Sequence, residues 1–284
     1  MHRPLLALCL GFLLVPSASA EEYKSADDAL TAGALKIRAR KFTEAIPPLE
    51  KALAMTPAED RKKRCDIYDT LTIAYRQLPE IDKFQEAAEY ILVNNDSRPG
   101  RSIMGRSYVS FLYQRGRTDW AVKHYEEVLK KNPRDPTALT VLGSFLSIRD
   151  GEEKQRGAKL KAELEALNDE RSKKNAEALE ATADKDPKQA AFKWKDVARI
   201  WLEADEKTKA KAALEKARKA PPEVRSQQLT RMWHEGMGDS FAKLGDVKEA
   251  VAEYEAALKL TDQKIFITGL EKKIKEAKGE TAKP

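Results

Sequence analysis

Residues 244–260 read LGDVKEAVAEYEAALKL, and in them Leu244, Val247, Ala250, Val251, Tyr254, Ala257 and Leu258 recur at three- and four-residue steps. A helix turns once in about 3.6 residues, so side chains at these steps share one face. Asp, Lys and Glu fill the gaps, which gives an amphipathic helix with one side for packing and one for water. The same arrangement returns at 39–54 (ARKFTEAIPPLEKALA), 115–131 (RGRTDWAVKHYEEVLKK) and 204–219 (ADEKTKAKAALEKARK). A helix that recurs in this way describes architecture before chemistry.

Aligned, the four copies form a ladder. Ala45, Ala121, Ala210 and Ala250 hold one small position. Leu49, Tyr125, Leu214 and Tyr254 follow four residues on, then Ala52, Val128, Ala217 and Ala257 three further. Pro57, Pro133 and Pro222 follow three of the four, where proline stops a helix. Upstream lies a second half-pattern of aromatic or aliphatic residues around a small one. FKWKDVARIWLEA supplies Trp194, Val197, Ala198 and Trp201, and MWHEGMGDSFAKLGD supplies Met237, Gly238 and Phe241. DPTALTVLGSFL supplies Leu139, Leu142, Gly143 and Leu146. The small residue lets a second helix approach closely.

Together the halves resemble the tetratricopeptide-repeat family, whose pattern joins two helices per repeat. Repeats are expected to begin near Ala26, Tyr68, Ser102, Pro136, Ala191 and Arg231, and the step from Ser102 to Pro136 is 34 residues. The resemblance implies an all-α, right-handed helical-hairpin solenoid of about six repeats. FITGLEKKIKEAK is expected to close its end as a capping helix, followed by a flexible tail at 279–284. Three places depart from the pattern. Pro47 and Pro48 predict that their helix starts late or kinks. RPGRS at 98–102 reads as a chain-breaking turn. Residues 152–188 carry 19 charged residues in 37 and no aromatic one, with Leu160, Leu164, Leu167 and Leu179 at roughly helical spacing. They read as a long solvated helical pair, either a degenerate repeat or a joint between 21–151 and 189–278.

The first twenty residues, MHRPLLALCLGFLLVPSASA, have a basic start at Arg3, an apolar run from Leu5 to Val15 and the small-residue end Ala18-Ser19-Ala20. This is the layout of a secretory signal peptide, with cleavage expected after Ala20. The run is too short to span a bilayer, which needs roughly 20 residues. The chain is therefore expected to be exported, periplasmic or secreted, without stable membrane insertion. Cleavage would leave Cys65 as the one cysteine, so no internal disulfide can form. It would also leave a net charge of +5, too mild to imply nucleic acid.

No catalytic or metal constellation emerges. His124 reads as a solvated helix residue. His234 opens HEGMG, where a zinc motif needs a second histidine and finds Gly238. Neither a GxSxG elbow nor a P-loop is present. RKKR at 61–64 reads as a solvated helix start among Glu59, Asp60 and Asp66. Trp194 and Trp201 hold packing positions of the repeat and are expected in the core.

The resemblance implies a groove lined by the first helix of each repeat, where such arrays dock peptides. Its positions correspond here to Arg76, then Arg106, Ser110 and Tyr113, then Thr140 and Ser144, then Lys195, Arg199 and Leu202, and finally Glu235 and Asp239. The family's clamp for a terminal carboxylate uses an asparagine where this chain has Arg76, Ser110, Ser144, Arg199 and Asp239, so that clamp is not expected. Lys195 and Arg199 stand opposite Glu235 and Asp239 and are expected either to pair with them or to serve a ligand. The sequence thus predicts a non-catalytic scaffold or adaptor, without cofactor, that binds a protein or peptide. The alternative is binding of a cell-envelope polysaccharide or peptidoglycan.

Overall fold

The computed structural model describes residues 23–220 and 226–280. The expected leader with its cleavage point, Pro222 and the last four residues lie outside them. The described residues form thirteen helices and no strand. Six hairpins follow one another: α1 (Ala26–Arg38) with α2 (Phe42–Met55), α3 (Arg61–Gln77) with α4 (Ile81–Asn94), and α5 (Arg98–Gln114) with α6 (Thr118–Lys131). Then come α7 (Pro136–Leu146) with α8 (Gly151–Ala183), α9 (Pro187–Glu203) with α10 (Lys207–Lys219), and α11 (Gln227–Leu244) with α12 (Val247–Leu258). The single helix α13 (Lys264–Ala277) follows. The expected all-α array of hairpins with a closing helix is therefore what is observed. The chain divides into two compact units, one through Ala87 and one from Ala88.

The two helices of a hairpin begin in different ways. Each first helix is capped by a side chain that accepts from a backbone N–H of its opening turn. Ser25 accepts from Asp28 N at 3.1 Å, Asp60 from Lys63 N at 3.1 Å, and Ser97 from Gly100 N at 3.2 Å. Asp135 accepts from Ala138 N at 2.8 Å, Asp186 from Lys188 N at 3.0 Å, and Ser226 from Leu229 N at 3.1 Å. Such caps satisfy an amide that the helix itself leaves unpaired. The second helices α2, α6, α8, α10 and α12 have no such side-chain cap.

In four hairpins the second helix is entered directly from a tight turn. Arg40 (φ 58°), Gly116 (φ 65°), Asp205 (φ 55°) and Gly245 (φ 79°) are left-handed there. The next amide closes a six-residue ring in each: Lys41 N to Lys36 O, Arg117 N to Leu112 O, Glu206 N to Trp201 O and Asp246 N to Phe241 O, all 2.9 Å. This is a Schellman helix ending. Each left-handed residue precedes the ladder alanine by five positions, so one turn geometry delivers the same register four times.

That register seats the ladder. Ala45, Ala121, Ala210 and Ala250 are wholly buried, and Leu49, Tyr125, Leu214 and Tyr254 are at most 3% exposed. Leu49 faces Gly33 and Tyr254 faces Gly238, each sixteen residues earlier on the partner helix, and Ala198 stands at the same interval before Leu214. A Cβ on Gly33 would stand 2.4 Å from Leu49 Cγ, and one on Gly238 2.5 Å from Tyr254 Cε1. Trp194, Val197, Ala198, Trp201, Met237, Phe241, Leu139, Leu142 and Leu146 are all buried, as the upstream half-pattern requires.

Four expectations are corrected. Helix α2 starts at Phe42, ahead of both prolines, so it does not start late, and it continues through Pro47 and Pro48, where burial of Pro48 and Leu49 offsets the lost amide donors. RPGRS is the opening turn of α5, where Pro99 fits the unpaired first turn. Residues 152–183 belong to one continuous 33-residue helix, α8, and not to a pair. Four hairpins open four to seven residues before the expected repeat starts, since the capping Ser or Asp sets the start rather than the first apolar residue.

Candidate functional site

In the second unit α5, α7 and α8 enclose a continuous cleft. Glycines at their crossings allow the approach. A Cβ on Gly105 of α5 would lie 2.7 Å from Thr140 Cγ2, one on Gly143 of α7 3.0 Å from Lys161 Cγ, and one on Gly157 of α8 2.4 Å from Ser147 N. One part of the cleft, about 320 Å³, runs over Arg101, Ser102, Gly105 and Arg106 of α5, Thr140 and Ser144 of α7, and Lys161, Leu164, Glu165 and Asn168 of α8. The other, about 460 Å³, runs over Val109, Ser110 and Tyr113, then Phe145 and Ile148. Arg106, Ser144 and Lys161 line both parts and join them.

The first part has a polar floor. Arg101 is buried, donates from Nη1 to Asn95 O at 2.6 Å, and from Nη2 to Asn168 Oδ1 at 3.0 Å. Burial first, then the nearby Arg171 charge, pushes its guanidinium down to about 10. Arg98 donates to Asp169 Oδ1 at 2.6 Å and to the carboxylate of Glu165, so the acidic group on the cleft wall is already engaged. Arg171 donates to Leu92 O at 3.3 Å and Val93 O at 2.6 Å, satisfying carbonyls at the end of α4.

The second part is apolar and open. Tyr113 is 68% exposed and Ile148 75% exposed. The cations at the junction hold hydroxyls rather than carboxylates: Arg106 Nη1 donates to Ser102 Oγ at 2.9 Å, and Lys161 Nζ to Ser147 Oγ at 2.6 Å. Ser144 donates to Thr140 O and Thr140 to Pro136 O, both 2.7 Å, so these hydroxyls stay folded against their own helix. Ser110 accepts from Gln114 Nε2 at 3.0 Å.

Arg106, Ser110, Tyr113, Thr140 and Ser144 are thus brought together, while the other expected site residues are not. Arg76 lies on α3 in the first unit. Arg199 pairs along its own helix, with Glu203 Oε1 at 2.6 Å and Asp196 Oδ1 at 3.9 Å. Lys195 lies against Gly236, where a Cβ would meet its Cδ at 3.2 Å. The expected pairing of Lys195 and Arg199 with Glu235 and Asp239 does not form, because α13 supplies the cation instead. Lys273 Nζ reaches Glu235 Oε1 at 2.9 Å and Asp239 Oδ1 at 2.8 Å. Leu202 is half-buried beside the core of that hairpin. Arg101, Lys161 and Ile148 were missed. The leucine spacing around Lys161 was visible, but only folding α8 back against α7 turns it into a cleft wall.

The two histidines of the described residues, His124 and His234, are each held by neighbouring side chains. His124 is half-buried and stacks on Trp120 at 4.8 Å, so it is not simply solvated. His234 Nδ1 lies 2.8 Å from Glu253 Oε2, and Arg218 Nε donates to Oε1 of the same carboxylate at 2.9 Å. Among the described residues no group of three or more His, Cys, Asp or Glu could hold a metal, and no helix is long and apolar enough to cross a membrane.

Residues 196–265 match the tetratricopeptide repeat family. They run from within α9 through α12 into the start of α13 and hold two copies of the ladder, those of Ala210 and Ala250. No curated protein sequence matches the chain. Among solved structures the chain is similar to the pilF protein of Pseudomonas aeruginosa, at 15% identity and a TM-score of 0.28, covering 87% of this chain and 96% of that one. It is also similar to yeast Tom70, at 15% identity and a TM-score of 0.27, covering 90% of this chain and 66% of that one.

Proposed function

We propose that the chain is an exported, non-catalytic adaptor that holds a protein partner in the cleft between α5, α7 and α8. One observation carries the reading: Tyr113 and Ile148 stand exposed on a shared apolar wall, continuous with a junction bearing Arg106 and Lys161. An exposed apolar wall rimmed by polar groups is what a protein interface leaves uncovered in the free molecule. The tetratricopeptide repeat matched at 196–265 supports the same reading, since stacked helical repeats present extended binding surfaces. Fully covering a tyrosine or isoleucine contributes on the order of 1.5–3 kcal/mol each, before the losses of association. The cleft therefore suits a reversible contact rather than a permanent assembly. Export rests on the leader, MHRPLLALCLGFLLVPSASA, and implies a mature chain that begins at Glu21.

A photo-crosslinking residue at position 113 of the full chain tests the binding site, with position 272 on α13 as the exposed control. A discrete protein adduct from 113, absent from 272 and lost on Arg106→Glu, is expected. Equal adducts from both positions, or none from 113, would remove the cleft as the binding site. Sequencing the amino terminus of the chain recovered outside the cytoplasm checks the export step.

A further inference from the structure

Resting on the cleft reading, we infer that the occupant is a short extended segment of a partner protein, carrying a carboxylate side chain a few residues from a large apolar one. The charges of the cleft are unbalanced in one direction. Glu165 is the acidic residue lining it and is engaged by Arg98. Arg101, Arg106 and Lys161 line the same space, and none of them has a carboxylate partner within it. Arg106 and Lys161 are exposed, and both hold single serine hydroxyls, weaker acceptors than a carboxylate. A carboxylate arriving at the junction displaces only those two hydroxyls and supplies the missing charge.

Length and order follow from α5. The lining positions Arg101, Gly105, Arg106, Val109, Ser110 and Tyr113 form one stripe along the helix. At 1.5 Å per residue that stripe runs for about 18 Å, the reach of roughly five or six extended residues. The step from Arg106 to Tyr113 is about 10 Å, which separates the acidic and apolar side chains by roughly two to four residues. Residues 279–284, GETAKP, do not meet this description, since they carry no large apolar side chain.

The test is selection of random heptapeptides displayed on phage against the immobilised mature full chain, then titration of the enriched peptides. The expected peptides place Asp or Glu two to four residues from Phe, Leu, Ile, Trp or Tyr. Their affinity falls about tenfold to a hundredfold on Arg106→Glu or Lys161→Glu, the range for a lost charged hydrogen bond. Tyr113→Ala weakens them as well, while Lys272→Glu leaves them unchanged. Selection repeated on Arg106→Glu, checked by circular dichroism for an unaltered melt, is expected to shift toward Lys- and Arg-bearing peptides. Enriched peptides that lack acids yet are lost on Tyr113→Ala would overturn the inferred chemistry and leave the cleft standing. Peptides indifferent to all three cleft substitutions would overturn the cleft itself. The absence of any enriched sequence would overturn the short linear ligand. Concentration-dependent self-association in sedimentation, abolished by Arg106→Glu, would assign the cleft to a second copy and overturn the foreign partner.

Discussion

Tyr108 and Tyr125 show how much can depend on two hydroxyls. Both rings are buried, crossing edge to face at 6.4 Å. Tyr125 donates to Glu89 Oε1 at 2.5 Å, which leaves its oxygen to accept from Tyr108 at 2.6 Å. A chain of donors ending on a carboxylate keeps two phenols satisfied inside the core. Burial raises both hydroxyls above the ordinary 10.0. An acid raised in the folded state keeps its proton after the unfolded chain has released its own. The contribution is therefore intact below pH 10 and is lost as pH climbs past it. Urea unfolding from pH 8 to 11.5 should show stability falling by up to about 1.4 kcal/mol per pH unit per tyrosine above pH 10. Tyr108→Phe, which removes one donor and leaves Tyr125 on Glu89, should flatten that fall. An unchanged slope would mean that the pair titrates no differently in the two states.

At the scale of helices, glycine has opposite values in two places. Gly238 lies under the Tyr254 ring, and the ring is fixed by its own hydroxyl, which donates to Asp239 Oδ1 at 2.9 Å. Gly238→Ala forces a held ring to move and should destabilise by about 1–3 kcal/mol. Gly269 sits on α13 with nothing within 4 Å of its missing Cβ. Gly269→Ala should stabilise by about 0.5–1 kcal/mol, the usual gain inside a helix. Thermal melts of the two variants should move in opposite directions. The ladder that led to Gly238 was legible because four hairpins share one turn and therefore one register. The other two hairpins were harder to read because their turns differ. α3 passes to α4 through Leu78, Pro79 and Glu80, and α8 opens on Gly151 at φ 61°. The capping Ser and Asp residues were also present in the sequence, but a cap is identified only once the helix behind it is known.

Across the molecule, the end of the second unit is closed by charge as well as by burial. Leu270 of α13 is 1% exposed, and Lys273 bridges two carboxylates of α11. Burial works against the Lys273 ammonium, but hydrogen bonds to Asp239 and Glu235 outweigh it and raise its pKa. Lys273→Ala should cost about 1 kcal/mol in urea, whereas Lys272→Ala, whose side chain is 73% exposed, should cost almost nothing. Equal losses would mean that Lys273 acts only as a helix residue. The sequence set out both carboxylates, yet assigned them to Lys195 and Arg199, because helical periodicity does not say which neighbour arrives first. The candidate cleft was half legible for a related reason: its α5 and α7 walls follow the repeat, while its α8 wall follows from where a long charged helix comes to rest.

The interval of sixteen residues between Gly33 and Leu49, and again between Gly238 and Tyr254, limits how those hairpins can change their length. One residue added between Gly238 and Tyr254 would swing Tyr254 by about 100° around α12, away from the gap over Gly238 that it fills. The left-handed turn would be displaced with it, so one inserted codon would undo two features of the hairpin together. Extra length is therefore carried outside the span that links the two facing side chains, as in the 33-residue α8, which belongs to a hairpin with a different turn.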